Sequence, residues 1–217
     1  MRKLSKTNLT ILIILLSVAL ITGLKYFLGS QAGSGPIDPS TARSKGSPQA
    51  PLQILEFIDL QCPACAKGHM VLSNYIDYYP GQIYVKLKYF PFASHQHSIR
   101  ATRYAECAAR QEKFWPFVDV LLQEQPRWAG LINAEPAFAQ FAQSAALDPQ
   151  KLNACLSDES IDKIIAESKS EGTSRGVQST PTYFINNEMI VGWRTLDQYL
   201  TSYFARQTSV QIMSTEQ

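Results

Sequence analysis

The feature that most constrains the fold of this chain is a pair of cysteines two residues apart, in the sequence CPAC at 62–65. The nine residues before it, LQILEFIDL at 52–60, are apolar on both alternating faces, which predicts a central strand covered on both sides. A proline is tolerated in the first turn of a helix, where amides lack intrahelical partners, so a helix is predicted from here to about Tyr79. The cysteines therefore stand between a buried strand and the start of a helix.

Apolar periodicity predicts the elements that surround this junction. The segment 83–90 alternates like a second strand, and Thr182–Ile185 and Glu188–Val191 predict two short strands joined by a two-asparagine turn. Helical spacing predicts helices over Ile99–Arg110, Phe114–Glu124, Glu135–Ala145, Asp148–Leu156 and Ser160–Ser174. A closing helix over Thr195–Phe204, capped by Thr195, precedes a polar tail at 206–217. The order predicts an α/β fold: a mixed sheet flanked by helices, with a helical subdomain inserted at about 95–175.

Residues 1–28 predict an uncleaved membrane anchor. Three basic residues among the first six precede an uncharged stretch over 7–24, which at ~1.5 Å per residue can span a bilayer of ~30 Å. The positive charge orients the amino terminus toward the cytoplasm and the body of the chain outward. A cleaved signal peptide, with Ser30 and Ala32 at its cleavage site, and a buried core helix are the alternatives.

Residues 29–50 are rich in Gly, Ser, Pro and Ala without an apolar period, which predicts a flexible linker before one domain at 51–205. The chain has 20 Lys and Arg against 18 Asp and Glu, but residues 1–50 hold six of the basic residues and one acidic residue. The remainder is therefore mildly acidic. A body without a basic stripe argues against nucleic-acid binding.

The Cys-x-x-Cys pair has three interpretations: a redox-active dithiol, half of a metal site, or a passive structural disulfide. Tetrahedral zinc needs two further ligands, but Cys107 and Cys155 lie in separate predicted helices, and His95 and His97 do not complete a tidy site. A disulfide across two residues closes a very small loop and stabilises weakly. The strand-then-helix setting favours the dithiol, and no metal or other cofactor is predicted.

The start of a helix suits a reactive sulfur. Unpaired amides and the helix dipole stabilise a thiolate at Cys62, and Cys65 lies one turn further in, where it can resolve a mixed disulfide on Cys62. A stabilised thiolate favours the reduced pair, which makes the disulfide a better oxidant of other thiols. We therefore predict that Cys62 is the nucleophile and Cys65 the buried resolving thiol.

Two motifs, ILEFIDLQCPAC and, far downstream, GVQSTPTYFINNEMIVG, resemble the DsbA-like branch of the thioredoxin-fold thiol–disulfide oxidoreductases. The resemblance covers about 52–204 and implies a thioredoxin-like sheet with the helical insertion. It equates Thr180-Pro181 with the family's cis-proline loop, in which the proline lies beside the dithiol and the residue before it pairs with an extended substrate. An ordinary trans proline at the start of a strand is the alternative.

One position departs from the family's pattern. The dipeptide between the cysteines is Pro-Ala, whereas the strongly oxidising founder type has Pro-His. Without that imidazole the pKa of Cys62 should be less depressed and the protein a milder oxidant. Lys67 and His69, later in the helix, are interpreted as solvated residues.

Glu56 shares its strand face with four apolar residues, so burial should raise its pKa. The resemblance implies a role for it as a buried acid near the resolving cysteine, which takes and returns the Cys65 proton. A buried salt bridge to Lys86 or Lys88 on the next strand is the alternative, and the two interpretations are compatible.

Cys107 and Cys155 form the second pair of cysteines. In an oxidising compartment an even count favours pairing, and the resemblance to relatives with cysteines in these two helices supports a structural disulfide. It would close a loop of about 49 residues, which removes about 4 kcal/mol of unfolded-chain entropy. Two free buried thiols and a second redox relay are the alternatives.

The combined interpretation is a membrane-tethered thiol–disulfide oxidoreductase that donates its Cys62–Cys65 disulfide to reduced or unfolded exported proteins. The resemblance implies that a quinone-linked membrane partner reoxidises it, and the lack of a predicted dimerisation domain favours a monomer. The expected location is the inner (cytoplasmic) membrane, single-pass, with the catalytic domain on the periplasmic side. A reductase or isomerase of the same fold and a copper-binding Cys-x-x-Cys module are the alternatives.

Overall fold

The structure of this chain is a computed structural model that describes residues 39–215. Its strands are β1 (Ser44–Gly46), β2 (Leu52–Ile58), β3 (Ile83–Tyr89), β4 (Thr182–Ile185) and β5 (Glu188–Val191). Its helices are α1 (Pro39–Ala42), α2 (Pro63–Tyr78), α3 (Ser98–Ala109), α4 (Phe114–Gln123), α5 (Gln125–Trp128), α6 (Glu135–Ser144), α7 (Pro149–Leu156), α8 (Ser160–Ser174) and α9 (Trp193–Thr215).

The five strands form one mixed sheet in the order β1-β3-β2-β4-β5. Strands β2 and β3 run parallel, and α2 makes the crossover connection that parallel neighbours need. Strand β4 pairs antiparallel with both β2 and β5, and the hairpin between β4 and β5 turns at Asn186 and Asn187, whose φ angles are 47° and 77°. Positive φ at both central residues is what a tight hairpin turn requires. The predicted mixed sheet flanked by helices is confirmed.

Helices α3 to α8 form the inserted block between β3 and β4. The five predicted helices of this block are present, and each end lies within one residue of its expected position. The short α5 was not predicted, because four residues cannot display an apolar helical period. The predicted disulfide between Cys107 and Cys155 joins α3 to α7, with their Cα atoms 5.7 Å apart.

The segment Pro39–Gly46 corrects the prediction of a flexible linker over 29–50. It forms α1 and the edge strand β1, which pairs antiparallel with β3. Strand β1 has only three residues and is held to β3 by backbone hydrogen bonds. Such bonds do not depend on side-chain type, so neither composition nor apolar periodicity predicts the strand. The anchor predicted at 1–28 lies outside the described residues. Within 39–215, no helix has both the length and the apolar character needed to cross a bilayer.

The last helix is longer than predicted. Helix α9 begins at Trp193 and continues to Thr215, through most of the segment expected as a polar tail at 206–217. The Gly192 carbonyl accepts the Leu196 amide at 3.2 Å, so the helix starts before the predicted cap at Thr195. Polar residues such as Arg and Gln are good helix formers, which explains why polarity was a poor sign of fraying.

The apolar residues of the domain pack in two main clusters. One includes Ile54, Val85, Tyr183 and residues of α2 and α9, and the other includes Ile58, Leu87 and most of the helical block. Both cysteines of the CPAC sequence belong to the second cluster, at the end of β2. The dithiol therefore lies where the sheet meets the inserted helices.

Candidate active site

The turn that links β2 to α2 holds the two cysteines. The Cys62 amide donates to the Asp59 carbonyl at 3.0 Å, and the Cys62 carbonyl accepts the Cys65 amide at 3.0 Å, which begins the helix. From α5, the side-chain amide of Gln125 donates to the carbonyls of Leu60 at 3.0 Å and Cys62 at 3.2 Å. Gln125 was not predicted as a site residue, because a single glutamine in so short a helix carries no recognisable pattern.

The accessible sulfur of the pair belongs to Cys62, which is 9% exposed, while Cys65 is fully buried. The Cys62 sulfur lies 3.4 Å from the Thr180 carbonyl oxygen and donates to it when it is protonated. Hydrogen bonding from the Cys65 thiol, followed by contributions from the Thr180 side chain and the backbone amides of Cys65 and Ala64, lowers the pKa of Cys62 from 9.0 to about 5, against the opposing effect of burial. The accessible sulfur is therefore a thiolate at neutral pH, as a nucleophile requires.

Cys65 has the opposite chemistry. Burial raises its pKa well above 9.0, and the neighbouring Cys62 raises it further. Its proton must therefore go to another group before Cys65 can attack a disulfide. The two cysteines of one helical turn thus form an asymmetric pair, with one ionised and one protonated sulfur.

The Thr180–Pro181 peptide bond is cis, so the prediction of a cis-proline loop is confirmed. The Pro181 carbonyl accepts the Gly192 amide at 2.9 Å, which fastens the loop to the start of α9. The loop thereby presents the Thr180 carbonyl to the Cys62 sulfur, on the accessible side of the dithiol.

Glu56 is fully buried on the predicted face of β2. The register places it opposite Leu87 on β3 and Tyr183 on β4. Among the residues that the structure describes, neither of its carboxylate oxygens has a hydrogen-bond partner. Burial raises the pKa of Glu56 from 4.5 to about 7, although His69 and Tyr183 act in the lowering direction. A carboxyl group with this pKa can exchange a proton near neutral pH.

The alternative of a salt bridge from Glu56 to Lys86 or Lys88 is wrong. In the parallel register Lys86 lies opposite Leu55 and Lys88 opposite Phe57, so both lysines project from the other face of the sheet. The Lys88 ammonium instead lies 2.8 Å from a carboxylate oxygen of Glu171.

His69 is buried, although the sequence analysis interpreted it as solvated. Its Nε2 atom lies 2.7 Å from a carboxylate oxygen of Asp119, and its ring stacks on Trp115 with centroids 6.2 Å apart. It follows Cys65 by one helical turn, which brings it to the interior side of α2. Lys67 lies on a different side of that helix, with its ammonium 5.7 Å from the centre of the Trp193 ring.

The other predicted candidates lie outside the dithiol site. His95 bonds Asp59 at 2.8 Å, and His97 bonds the Leu131 carbonyl at 2.7 Å, so both have local structural partners. Cys107 and Cys155 are bonded to each other, so they are not free thiols. Within 39–215, no group of three or more His, Cys, Asp and Glu side chains is arranged to hold a metal ion.

A comparison with known families matches residues 39–202 to the family described as thioredoxin. Among curated proteins, the chain is 29% identical over 154 residues to the Na(+)/H(+) antiporter NhaA 3 of Salinispora tropica. That match covers 70% of this chain and 22% of the relative, so the chain spans less than a quarter of that protein.

Solved structures share the architecture over most of the domain. A periplasmic thioredoxin-like protein from Salmonella enterica serovar Typhimurium is 26% identical with a TM-score of 0.62, and the match covers 77% of this chain and 92% of that one. The alpha-DsbA1 protein of Wolbachia pipientis is 21% identical with a TM-score of 0.66, and the match covers 79% and 93% of the two chains. At these coverages, the similarity includes the sheet and most of the inserted helices.

Proposed function

This chain belongs to the thioredoxin family, and from that premise we propose that it is a thiol–disulfide oxidoreductase that works as an oxidase and passes the Cys62–Cys65 disulfide to reduced or unfolded exported proteins. The observation that carries the proposal is the asymmetry of the dithiol. The pKa of the accessible Cys62 is lowered to about 5, while the pKa of the buried Cys65 is raised. A stabilised thiolate favours the reduced protein, which makes its disulfide a good acceptor of electrons.

The reaction proceeds by two thiol–disulfide exchanges. A substrate thiolate attacks the Cys62 sulfur of the Cys62–Cys65 disulfide, which forms a mixed disulfide and releases Cys65. The buried Cys65 takes up a proton, for which Glu56 is the proposed donor. A second substrate thiolate then attacks the substrate sulfur of the mixed disulfide and expels Cys62 as a thiolate. The substrate loses two electrons and becomes a disulfide, and the protein gains them as a dithiol.

The cis-proline loop is the proposed docking point for the substrate backbone. Pro181 has no amide hydrogen, so no backbone donor from it competes at the sulfur contact. The Thr180 carbonyl already faces Cys62, and an extended substrate beside this loop would bring its own sulfur to the same position.

The proposed setting is the outer side of the inner membrane. The basic start and apolar stretch within residues 1–28 support a single-pass anchor with the domain on the periplasmic side. The Cys107–Cys155 disulfide supports an oxidising compartment. There a quinone-linked membrane protein would restore the Cys62–Cys65 disulfide of the monomeric enzyme.

The equilibrium potential of the full chain against glutathione tests the direction of electron flow. An oxidase should have a potential nearer to about −120 mV than to about −270 mV. A potential near the lower value would support a reductase, and re-pairing of a scrambled substrate faster than its oxidation would support an isomerase. Stoichiometric copper with redox-silent cysteines would support the metal-binding alternative.

Two cysteine variants test the assigned roles. Cys62→Ser should abolish oxidation of a peptide dithiol, whereas Cys65→Ser should accumulate mixed disulfides through Cys62. The double variant Cys107→Ala/Cys155→Ala is the matched control and should retain oxidation at a temperature at which it stays folded. Full turnover by Cys62→Ser would contradict the proposal.

A further inference from the structure

The interior of the active site contains buried polar atoms without hydrogen-bond partners. Both carboxylate oxygens of Glu56 and the hydroxyl of Tyr183 are in this state among the described residues. Folded proteins pair nearly all such atoms, so several together mark a place where chemistry takes precedence over stability.

Tyr183 is brought to Glu56 by the strand register. The two residues lie directly opposite each other in the antiparallel β2–β4 pair, so their side chains project from the same face of the sheet. Side chains opposed in this way have Cβ atoms about 4.5–5.5 Å apart. Tyr183 is fully buried, so its hydroxyl lies in the protein interior, on the same face of the sheet as Glu56.

Gly68 of α2 has no side chain, which leaves space for the Tyr183 hydroxyl against the helix. A Cβ atom at Gly68 would lie 2.1 Å from the Tyr183 hydroxyl oxygen and 3.3 Å from the Pro181 ring. Gly68 follows Cys65 by three residues, so both are on the same side of the helix. The hydroxyl thus lies between the carboxyl group of Glu56 and the helical turn that carries the resolving cysteine.

We propose that Tyr183 is a positioning residue for Glu56: its hydroxyl donates a hydrogen bond to the carboxylate whenever Glu56 is ionised, and thereby keeps that carboxylate available to accept the Cys65 proton. The inference deepens the proposed function and rests on the role of Glu56 in it. A hydrogen bond to an ionised acceptor is stronger than one between neutral groups, so the bond favours the charged form of Glu56.

Among the groups around Glu56, Tyr183 and His69 are the two that lower its pKa, Tyr183 by hydrogen bonding and His69 by charge. On β3 the neighbouring residue is the apolar Leu87. On α2 the nearby groups are the thiols of Cys62 and Cys65 and the ring of His69. Asp119 of α4 lies behind His69 and bonds to it. Burial, followed by the nearby charge of Glu56, raises the pKa of Tyr183 well above 10, so its hydroxyl keeps its proton at physiological pH.

The variant Tyr183→Phe removes the hydroxyl and keeps the ring. The step to follow is the attack of Cys65 on a mixed disulfide between Cys62 and glutathione in the full chain. In this step the Cys62–glutathione bond breaks, glutathione leaves as a thiolate, the Cys62–Cys65 bond forms, and the Cys65 proton passes to Glu56. The rate should rise with pH to a plateau. In Tyr183→Phe the midpoint should move up by about one pH unit, with resolution about tenfold slower at pH 6 and nearly equal at the plateau.

Three variants distinguish this role from a merely structural one. Tyr89→Phe also deletes a buried tyrosine hydroxyl, one that bonds Glu106 at 3.0 Å, and should leave the midpoint unchanged. Gly68→Ala places a methyl group where the Tyr183 hydroxyl lies and should shift the midpoint upward, but should add no shift to Tyr183→Phe. In a Glu56→Gln background, Tyr183→Phe should have no further effect on the pH profile.

The outcomes separate this inference from the role of Glu56 itself. A Glu56→Gln variant with an unchanged pH profile would refute Glu56 as the proton acceptor. Carbon-13 NMR titration of the Glu56 carboxyl in the reduced protein then still tests the hydrogen bond, because Tyr183→Phe should raise its midpoint. An unshifted carboxyl titration in folded Tyr183→Phe would overturn the inference whatever the role of Glu56. An unshifted rate profile in folded Tyr183→Phe would overturn it where Glu56→Gln does change that profile.

Discussion

Two fully buried glutamates, Glu106 and Glu56, lie in very different surroundings. The Oε2 atom of Glu106 accepts the Arg43 guanidinium at 2.6 Å and the Tyr89 hydroxyl at 3.0 Å. Neither oxygen of Glu56 has a hydrogen-bond partner in the part of the chain that the structure describes. Equal burial therefore gives a fixed ion pair in one place and a titratable acid in the other.

The difference follows from what each carboxyl group connects. Glu106 joins α3 to the segment before β1 through Arg43, and to β3 through Tyr89, so its charge fastens three parts of the fold. Glu56 and the protonated thiol of Cys65 both lie near Tyr183. Among the described residues, no basic side chain forms an ion pair with Glu56. A buried acid that must take and return a proton has to remain close to balance between its two forms. The Arg43–Glu106 ion pair stabilises the fold, whereas the lack of such a pair at Glu56 allows Glu56 to exchange a proton.

The largest effect is expected from removing the counterion of Glu106. Arg43→Met leaves a carboxylate in the interior, which should lower the free energy of unfolding by about 3–5 kcal/mol at pH 8. Denaturant unfolding of the reduced-dithiol protein measures this loss.

A second variant serves as the control for Arg43→Met. Arg43→Met/Glu106→Leu removes both charges and should recover most of the lost stability, since no unpaired ion remains. If the double variant were as unstable as Arg43→Met at every pH, lost packing rather than the stranded charge would explain the defect.

The contact between Arg43 and Glu106 could not be predicted from the sequence. The composition of 29–50 predicted a flexible linker, because one arginine in a segment rich in Gly, Ser and Pro gives no sign of a partner 63 residues away. The β2–α2 junction was predictable, since the strand pattern, the proline and the cysteine spacing are all local. Tyr183 was missed as a site residue because only the β2–β4 register reveals that it opposes Glu56. Local patterns identified the reactive atoms, whereas long-range pairing decides which acid has a counterion.

An intermediate effect, of the opposite sign, on the free energy of unfolding is expected from a substitution at Glu56. Its pKa is about 7 in the folded protein against an ordinary 4.5, so the folded state binds more protons than the unfolded state between these values. Stability therefore falls as pH rises through this window, by about 3 kcal/mol in total. Glu56→Gln should abolish this loss and be more stable than the parent by up to about 3 kcal/mol at pH 8, with little difference at pH 4.

The same substitution at the other site is the matched control. Glu106→Gln should lower stability at pH 8, because it leaves Arg43 buried without its anion. Unfolding curves of both variants, collected from pH 4 to pH 8, provide the test. Equal signs at pH 8 would contradict the distinction between the two glutamates.

The smallest effect on stability is expected from Lys88→Met. This variant tests whether a charge on the opposite face of the sheet influences the pKa of Glu56. Lys88 pairs with the partly exposed Glu171, so its loss should change stability by less than about 1 kcal/mol. The NMR midpoint of the Glu56 carboxyl should stay in place, because the two side chains project from opposite faces of the sheet. His69→Gln is the positive control, and it should raise that midpoint, since His69 lies on the same side as Glu56 and lowers its pKa. A clear upward shift in Lys88→Met would mean that the sheet does not isolate the site, and that the unpaired state of Glu56 depends on charges well beyond its own cluster.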